Sequence, residues 1–278
     1  MILIHNDDFD LQKIAQSGQC FRLNAGKEGY TLLAHGHVLR LRNTPDGCEA
    51  DCSQAEYEAL WKGYFDLERD YSEIRRAADP KDPFLQRALS YGRGIRILWQ
   101  DPWEMLVSFI ISQRKNIPAI KACVETLCTR YGEPIESKGQ RFHAFPSAER
   151  LAALEERCFL ECSLGYRAKY VRAAAQMVAS GALNLGEIGS LPDDALMVAL
   201  LGVPGVGEKV ANCVMLFGYH RLSRFPRDVW INRIVEQEYG GEFPAMRYPD
   251  TAGVLQQYLF YYARSSEYAA ERQETKQR

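Results

Sequence analysis

Leu200-Leu-Gly-Val-Pro-Gly-Val-Gly-Glu-Lys-Val-Ala-Asn-Cys-Val-Met-Leu-Phe217 reads as a helix, a Gly/Pro-rich hairpin and a second helix. Gly205 and Gly207 free the backbone to turn tightly and to approach another molecule closely. The second helix exposes unpaired N–H groups at its positive end, a place that suits a phosphate. Val210, Cys213, Val214 and Phe217 share one apolar face by i, i+3, i+4, i+7 spacing, which leaves Lys209 at the edge of the first turn. A cation there meets a helix field that disfavours its charged form, and a neutral amine is a nucleophile. An ordinary helix-to-helix turn with a solvated lysine carries the same residues, so this segment alone decides neither phosphate binding nor chemistry.

Further on, Phe225-Pro-Arg-Asp-Val-Trp-Ile-Asn-Arg-Ile234 places Asp228 at the expected N-cap of the next helix. Capping alone would account for it. Working outward, helices are expected over 83–92, 101–112, 117–131, 147–155, 167–180, 193–201, 208–219, 228–239 and 249–265, with Pro102, Pro118, Pro192 and Pro249 at or near their starts. Residues 1 to about 50 are different. Tyr30-Thr-Leu-Leu33 and Val38-Leu-Arg-Leu-Arg42 are short runs broken by Gly26, Gly29, Gly36 and Gly47, the pattern of an antiparallel sheet. From Ser53, a capping box and Tyr57, Leu60, Trp61 and Tyr64 at helical spacing predict a helix packed on that sheet. The expected architecture is α+β: an N-terminal antiparallel β-sheet domain over 1–95, a mainly α-helical domain over 96–270 with its hairpin at 202–207, and a polar tail over 271–278 expected to fray.

At 278 residues, 46% hydrophobic and 25% charged, the chain can build two sizeable cores. A formal net charge of -2 excludes a field that draws the whole molecule onto nucleic acid, so any DNA-binding surface must be a local patch. None of the 8 cysteines forms a C-x-x-C pair, which fits a reduced intracellular chain better than a zinc or redox motif. The start lacks a basic segment followed by an apolar one, and no window approaches the roughly 18 apolar residues of a membrane span. A cytoplasmic protein without a membrane partner, monomeric in the simplest case, is expected.

The hairpin with Lys209, followed by Pro-Arg-Asp ending on Asp228, resembles the HhH-GPD superfamily of base-excision glycosylases, whose signature hairpin is Leu-x-x-Pro-Gly-Val-Gly. The resemblance spans nearly the whole chain and is closest to the 8-oxoguanine DNA glycosylase branch with an N-terminal sheet. It implies a bifunctional DNA glycosylase and AP lyase acting on double-stranded DNA that contains 8-oxoguanine. The Lys209 amine would attack C1′ of the deoxyribose, and Asp228 would stabilise the oxocarbenium-like charge and assist the lysine.

Four further segments carry implied roles. In Ser17-Gly-Gln-Cys-Phe-Arg22 the Gly18 carbonyl would accept the N7–H that 8-oxoguanine has and guanine lacks. Cys213 would pack on one face of the extruded base, with Phe217 one turn further among the base-contacting residues. In Ala252-Gly-Val-Leu-Gln-Gln-Tyr-Leu-Phe260, Gln256 would bond the Watson–Crick edge and Phe260 would stack on the other face, their i, i+4 spacing putting both on one side of a helix. In Gly165-Tyr-Arg-Ala-Lys-Tyr170, Tyr166 would wedge into the opened duplex and Arg167 would face the orphaned partner base. Gly205 and Gly207 would sit against phosphate.

The pattern departs from the family in Ser112-Gln-Arg-Lys-Asn-Ile-Pro-Ala119, the remaining DNA-binding segment, with Arg114, Lys115 and Asn116. Arg114 stands where similar enzymes fill the vacated helix with asparagine, and Ala119 stands where they place an arginine; relaxed reading of the opposite base is the expectation. Trp230 replaces a phosphate-touching histidine. Some relatives bind an iron–sulfur cluster through C-x6-C-x2-C-x5-C, but no cysteine follows Cys213, so no cofactor and no metal is expected. Two readings compete: a monofunctional alkylpurine glycosylase, against which Lys209 speaks, and a DNA-binding module without chemistry.

Overall fold

The computed structural model describes residues 1–5 and 8–277. Its first layer is an antiparallel sheet in the order β1-β5-β4-β3-β2, formed by β1 (Ile2–Ile4), β2 (Leu23–Gly26), β3 (Gly29–Ala34), β4 (His37–Thr44) and β5 (Gly47–Ala50), with α1 (Leu11–Gln16) between the first two strands. The alternation of strand side chains sets the register: Leu32 faces Leu39 and Leu41 faces Ala50, all four buried. Against that face packs α2 (54–64), whose cap Ser53 accepts from Glu56 N at 3.1 Å and whose middle turn widens to a π-helix over Tyr57–Trp61. Trp61, Tyr64 and Phe65 close this smaller core.

The larger core belongs to the helices: α3 (Tyr71–Ala77), α4 (Pro83–Gly92), α5 (Pro102–Ser112), α6 (Ile117–Tyr131), then a hairpin of β6 (Pro134–Ser137) and β7 (Gln140–His143). There follow α7 (Ala148–Ala152), α8 (Glu156–Glu161), α9 (Ala168–Ala179), α10 (Leu185–Ile188), α11 (Asp193–Leu201), α12 (Glu208–Phe217), α13 (Val229–Tyr239), α14 (Ala252–Ala263) and α15 (Ser266–Gln277). Of the helix expected over 147–155 only α7 forms, because the Ala153 and Leu154 amides close its end on Glu149 and Leu151, and α8 lies beyond the expected span. α5 lies at the centre, with every residue from Glu104 to Ser112 buried, as its near-continuous apolar run requires. α3 and α4 join this core: Tyr71 and Phe84 pack there, Phe84 against Tyr262 of α14.

The backbone continues as helix to Gln277, because α15 starts inside the fold: Tyr268 is buried and its hydroxyl donates to Glu238 of α13 at 3.0 Å. Arg278 lies outside the described residues. Among the described residues no helix is long and apolar enough to cross a membrane.

Candidate active site

The hairpin between α11 and α12 is held from two sides. Its tight turn closes through Val206 N to Val203 O at 3.0 Å, and Gly205 adopts φ +82 with its carbonyl accepting from Gln113 Nε2 at 3.1 Å. A Cβ on Gly205 would stand 2.3 Å from Cγ of the Tyr170 ring, so this glycine is required both by conformation and by close packing. Gly205→Ala is expected to destabilise the fold by about 2 kcal/mol, read as a lowered midpoint in urea denaturation with an unchanged slope. Gly207 faces open space and, as N-cap of α12, leaves that helix's first N–H groups directed outward.

Lys209 sits half-buried in the first turn of α12. Its Nζ donates to Ser112 Oγ at 3.4 Å and lies 5.0 Å from the centroid of the Phe109 ring, both on the last turn of α5. Ser112 Oγ itself donates to Phe109 O at 2.8 Å, which leaves its lone pairs toward the amine. One turn along α12, Cys213 is buried and within electrostatic reach of two charges. Burial pushes its thiol up, the Lys209 ammonium draws it down, and the Asp228 carboxylate pushes it up again. Lys209 and Asp228 thus both lie within electrostatic reach of the Cys213 thiol.

Asp228 is the N-cap of α13. Its Oδ1 accepts from Trp230 N at 3.0 Å and from Ile231 N at 2.9 Å, satisfying two orphan amides with one oxygen. Among the described residues no hydrogen bond occupies Oδ2.

Of the residues expected to hold a base, Gly18 and Phe260 lie close together and Gln256 reaches the segment just before Asp228. Gly18 has φ +77, and a Cβ there would lie 3.3 Å from Phe260 Cε1 and 2.9 Å from Ile117 Cδ1; a side chain would press on the aromatic wall and on the start of α6. Among the described residues no donor takes up the Gly18 carbonyl. Gln256 is only 3% exposed, and its Nε2 donates to Pro226 O at 3.1 Å while its Oε1 accepts from Gln257. One of its two amide hydrogens is committed to Pro226, and the nitrogen carries a second. Phe217 does not line an open surface: it is 2% exposed and stacks at 5.5 Å on Phe109, forming the layer beneath the amine.

On the side expected to meet DNA, Tyr166 is 48% exposed at the tip of the α8–α9 connection, as a wedge requires. Arg167 departs from expectation. It is 6% exposed, with Nε donating to Gln113 O at 2.8 Å, Nη1 to Leu164 O at 3.1 Å, and its guanidinium 4.4 Å from the Tyr166 ring centroid. The side chain is drawn inward because these carbonyls at the end of α5 and before the turn need donors, and it supports Tyr166 from behind. Arg114 is exposed with φ +54, Lys115 Nζ donates to Ser163 O at 3.1 Å, and Asn116 caps α6 by accepting from Ala119 N at 2.9 Å. Trp230 is half-exposed beneath the Arg233 guanidinium at 4.9 Å. Sequence alone assigned no role to Ser112 and Phe109, which seat the lysine, or to Gln113, which joins hairpin and wedge; Ser112 and Gln113 lie within the Ser112–Ala119 segment already singled out and Phe109 just before it.

A helix-hairpin-helix that presents free amides, a lysine in the next turn and a capping aspartate at the start of the following helix define the class of base-excision DNA glycosylases. Residues 107–243 match the HhH-GPD superfamily of base excision DNA repair proteins, and residues 1–106 match the N-terminal domain of 8-oxoguanine DNA glycosylases. The 8-oxoguanine glycosylase/lyase of Clostridium acetobutylicum, solved with DNA containing cytosine opposite 8-oxoguanine, is 36% identical with a TM-score of 0.88, over 93% of this chain and 92% of that one. A probable N-glycosylase/DNA lyase of Methanothermobacter thermautotrophicus is 28% identical over 93% of this chain and 95% of its own length. The 3-methyladenine DNA glycosylase of Archaeoglobus fulgidus, at 19% identity and a TM-score of 0.74, shares the fold alone. The chain belongs to the 8-oxoguanine DNA glycosylase family.

Proposed function

We propose that this protein excises 8-oxoguanine from double-stranded DNA and then cleaves the strand, with Lys209 as nucleophile and Asp228 as the stabilising carboxylate. The observation that supports the reading is Lys209 seated on Ser112 and Phe109 one turn before the buried Cys213, together with Gly18 packed close to the Phe260 ring. An extruded base needs flat apolar walls and edge partners to offset the few kcal/mol lost on unstacking. Phe260 and Cys213 supply the walls. The Gly18 carbonyl supplies an acceptor that only a base protonated at N7 can use, while guanine would leave that acceptor unpaired.

In the reaction the Lys209 amine forms a bond to C1′ as the bond from C1′ to N9 breaks; the base leaves with the electron pair and takes up the proton that the attacking nitrogen, now positively charged, gives up. Asp228 Oδ2 faces the positive charge that develops on the sugar. Opening of the sugar gives a Schiff base; loss of a proton from C2′ then expels the 3′ phosphate by β-elimination. The alkylpurine alternative dispenses with an amine, and the seating of Lys209 on Ser112 and Phe109 speaks against it.

Borohydride added during reaction with an 8-oxoguanine duplex tests the reading: a covalent protein–DNA product is expected, and base release without any trapped product would overturn it. With Arg114 and Ala119 in place of the groups that read the opposite base, and Arg167 turned inward, discrimination at that base is thin. Single-turnover excision rates opposite cytosine, adenine, guanine and thymine are therefore expected to lie within about tenfold of one another, since a lost bidentate contact removes about 1–3 kcal/mol of discrimination. Strong preference for cytosine would refute this.

A further inference from the structure

α14 grips the segment that carries Gly18 through one more side chain than the base pocket itself uses. Arg264 lies one helical turn beyond Phe260, and its guanidinium carbon is 5.0 Å from the Phe260 ring centroid. The same guanidinium donates from Nη1 to the backbone carbonyl of Gln16 at 3.3 Å, at the end of α1 and two residues before Gly18. Tyr261 adds a second tie, its hydroxyl donating to Gln16 Oε1 at 3.2 Å. Gly18 is thus connected to Phe260 twice: directly, the ring edge standing 3.3 Å from where a Cβ on Gly18 would lie, and around the back through Gln16 and Arg264. A planar guanidinium can stack on a ring and donate in its own plane at once; a lysine ammonium cannot.

We infer that Arg264 is a positioning residue for lesion recognition: stacked on Phe260 and bonded to Gln16, it fixes the aromatic wall and the Gly18 carbonyl at one mutual spacing. This rests on the proposed excision of 8-oxoguanine. That base differs from guanine, at the edge Gly18 faces, by a single N–H, and a hydrogen bond tells the two apart only if donor and acceptor meet within about 2.7–3.2 Å. A loop held by α1 alone would let the carbonyl drift, and selectivity would fall with the geometry. Arg264 also stands within electrostatic reach of Asp228, so a purely electrostatic role is the competing explanation to be separated.

The test compares wild type, Arg264→Ala and Arg264→Lys on two duplexes. One carries 8-oxoguanine, read as single-turnover base release; the other carries an abasic site, read as borohydride trapping, which uses Lys209 and Asp228 but offers the pocket no base. Both variants are expected to release base about 10- to 100-fold more slowly, while abasic trapping falls by far less. Full excision by Arg264→Lys would overturn the inference in favour of charge alone, and equal losses on both duplexes would overturn it in favour of a general role in DNA binding or folding. Failure of the wild type to trap on either duplex would instead strike the proposed function itself.

Discussion

Lys209→Gln is expected to yield no covalent product with borohydride and to lower base release by more than about a thousandfold. Glutamine is one atom shorter than lysine but keeps a polar end directed toward Ser112 Oγ, which now accepts from Lys209 Nζ at 3.4 Å, so the turn above Phe109 has no reason to collapse. What is lost is the nucleophile, because the lone pair of an amide nitrogen is delocalised. Binding of DNA should persist, since the hairpin amides at the start of α12 do not involve this side chain. A trapped product that survived the substitution, located by mass spectrometry on another amine, would remove Lys209 from the mechanism.

Asp228→Asn is expected to slow base removal by roughly a hundredfold to a thousandfold while changing DNA affinity by far less, because the charge it stabilises develops mainly in the transition state. The division of labour between the two oxygens makes the experiment clean. Oδ1 caps α13 through Trp230 N and Ile231 N, and asparagine retains that acceptor and is as good a cap. Oδ2 becomes an amide donor, and the negative charge disappears. Asp228→Ala loses the cap as well and should cost about 1 kcal/mol in stability, which Asp228→Asn should not. Equal losses in affinity and in excision rate for Asp228→Asn would show that the carboxylate serves binding and not chemistry.

The residues most legible from sequence were those whose local backbone is special. The hairpin glycines, the Asp228 cap, the Ser53 capping box and the ends of α4 and α6 all rest on interactions within a few residues, where spacing and residue type determine conformation. Less legible were the short elements, such as α8 and the hairpin of β6 and β7, in which too few side chains repeat to form a period. Arg167 illustrates the limit. Its place beside Tyr166 and Lys169 suggests a basic surface, but the carbonyls that claim it come from Gln113, which is distant in sequence, and from Leu164.

By itself, the sequence determined the helix-hairpin-helix, the lysine in its first turn, the capping aspartate and the order of sheet before helices. These follow from short-range hydrogen bonding and from the alternation of apolar residues. Only the tertiary structure decided that Lys209 rests on α5, that Phe217 lies beneath the site while Gln256 is held by Pro226, and that Arg264 ties α14 to Gln16. Each of these depends on which distant element supplies the partner, and packing of whole helices, not spacing along the chain, selects that partner.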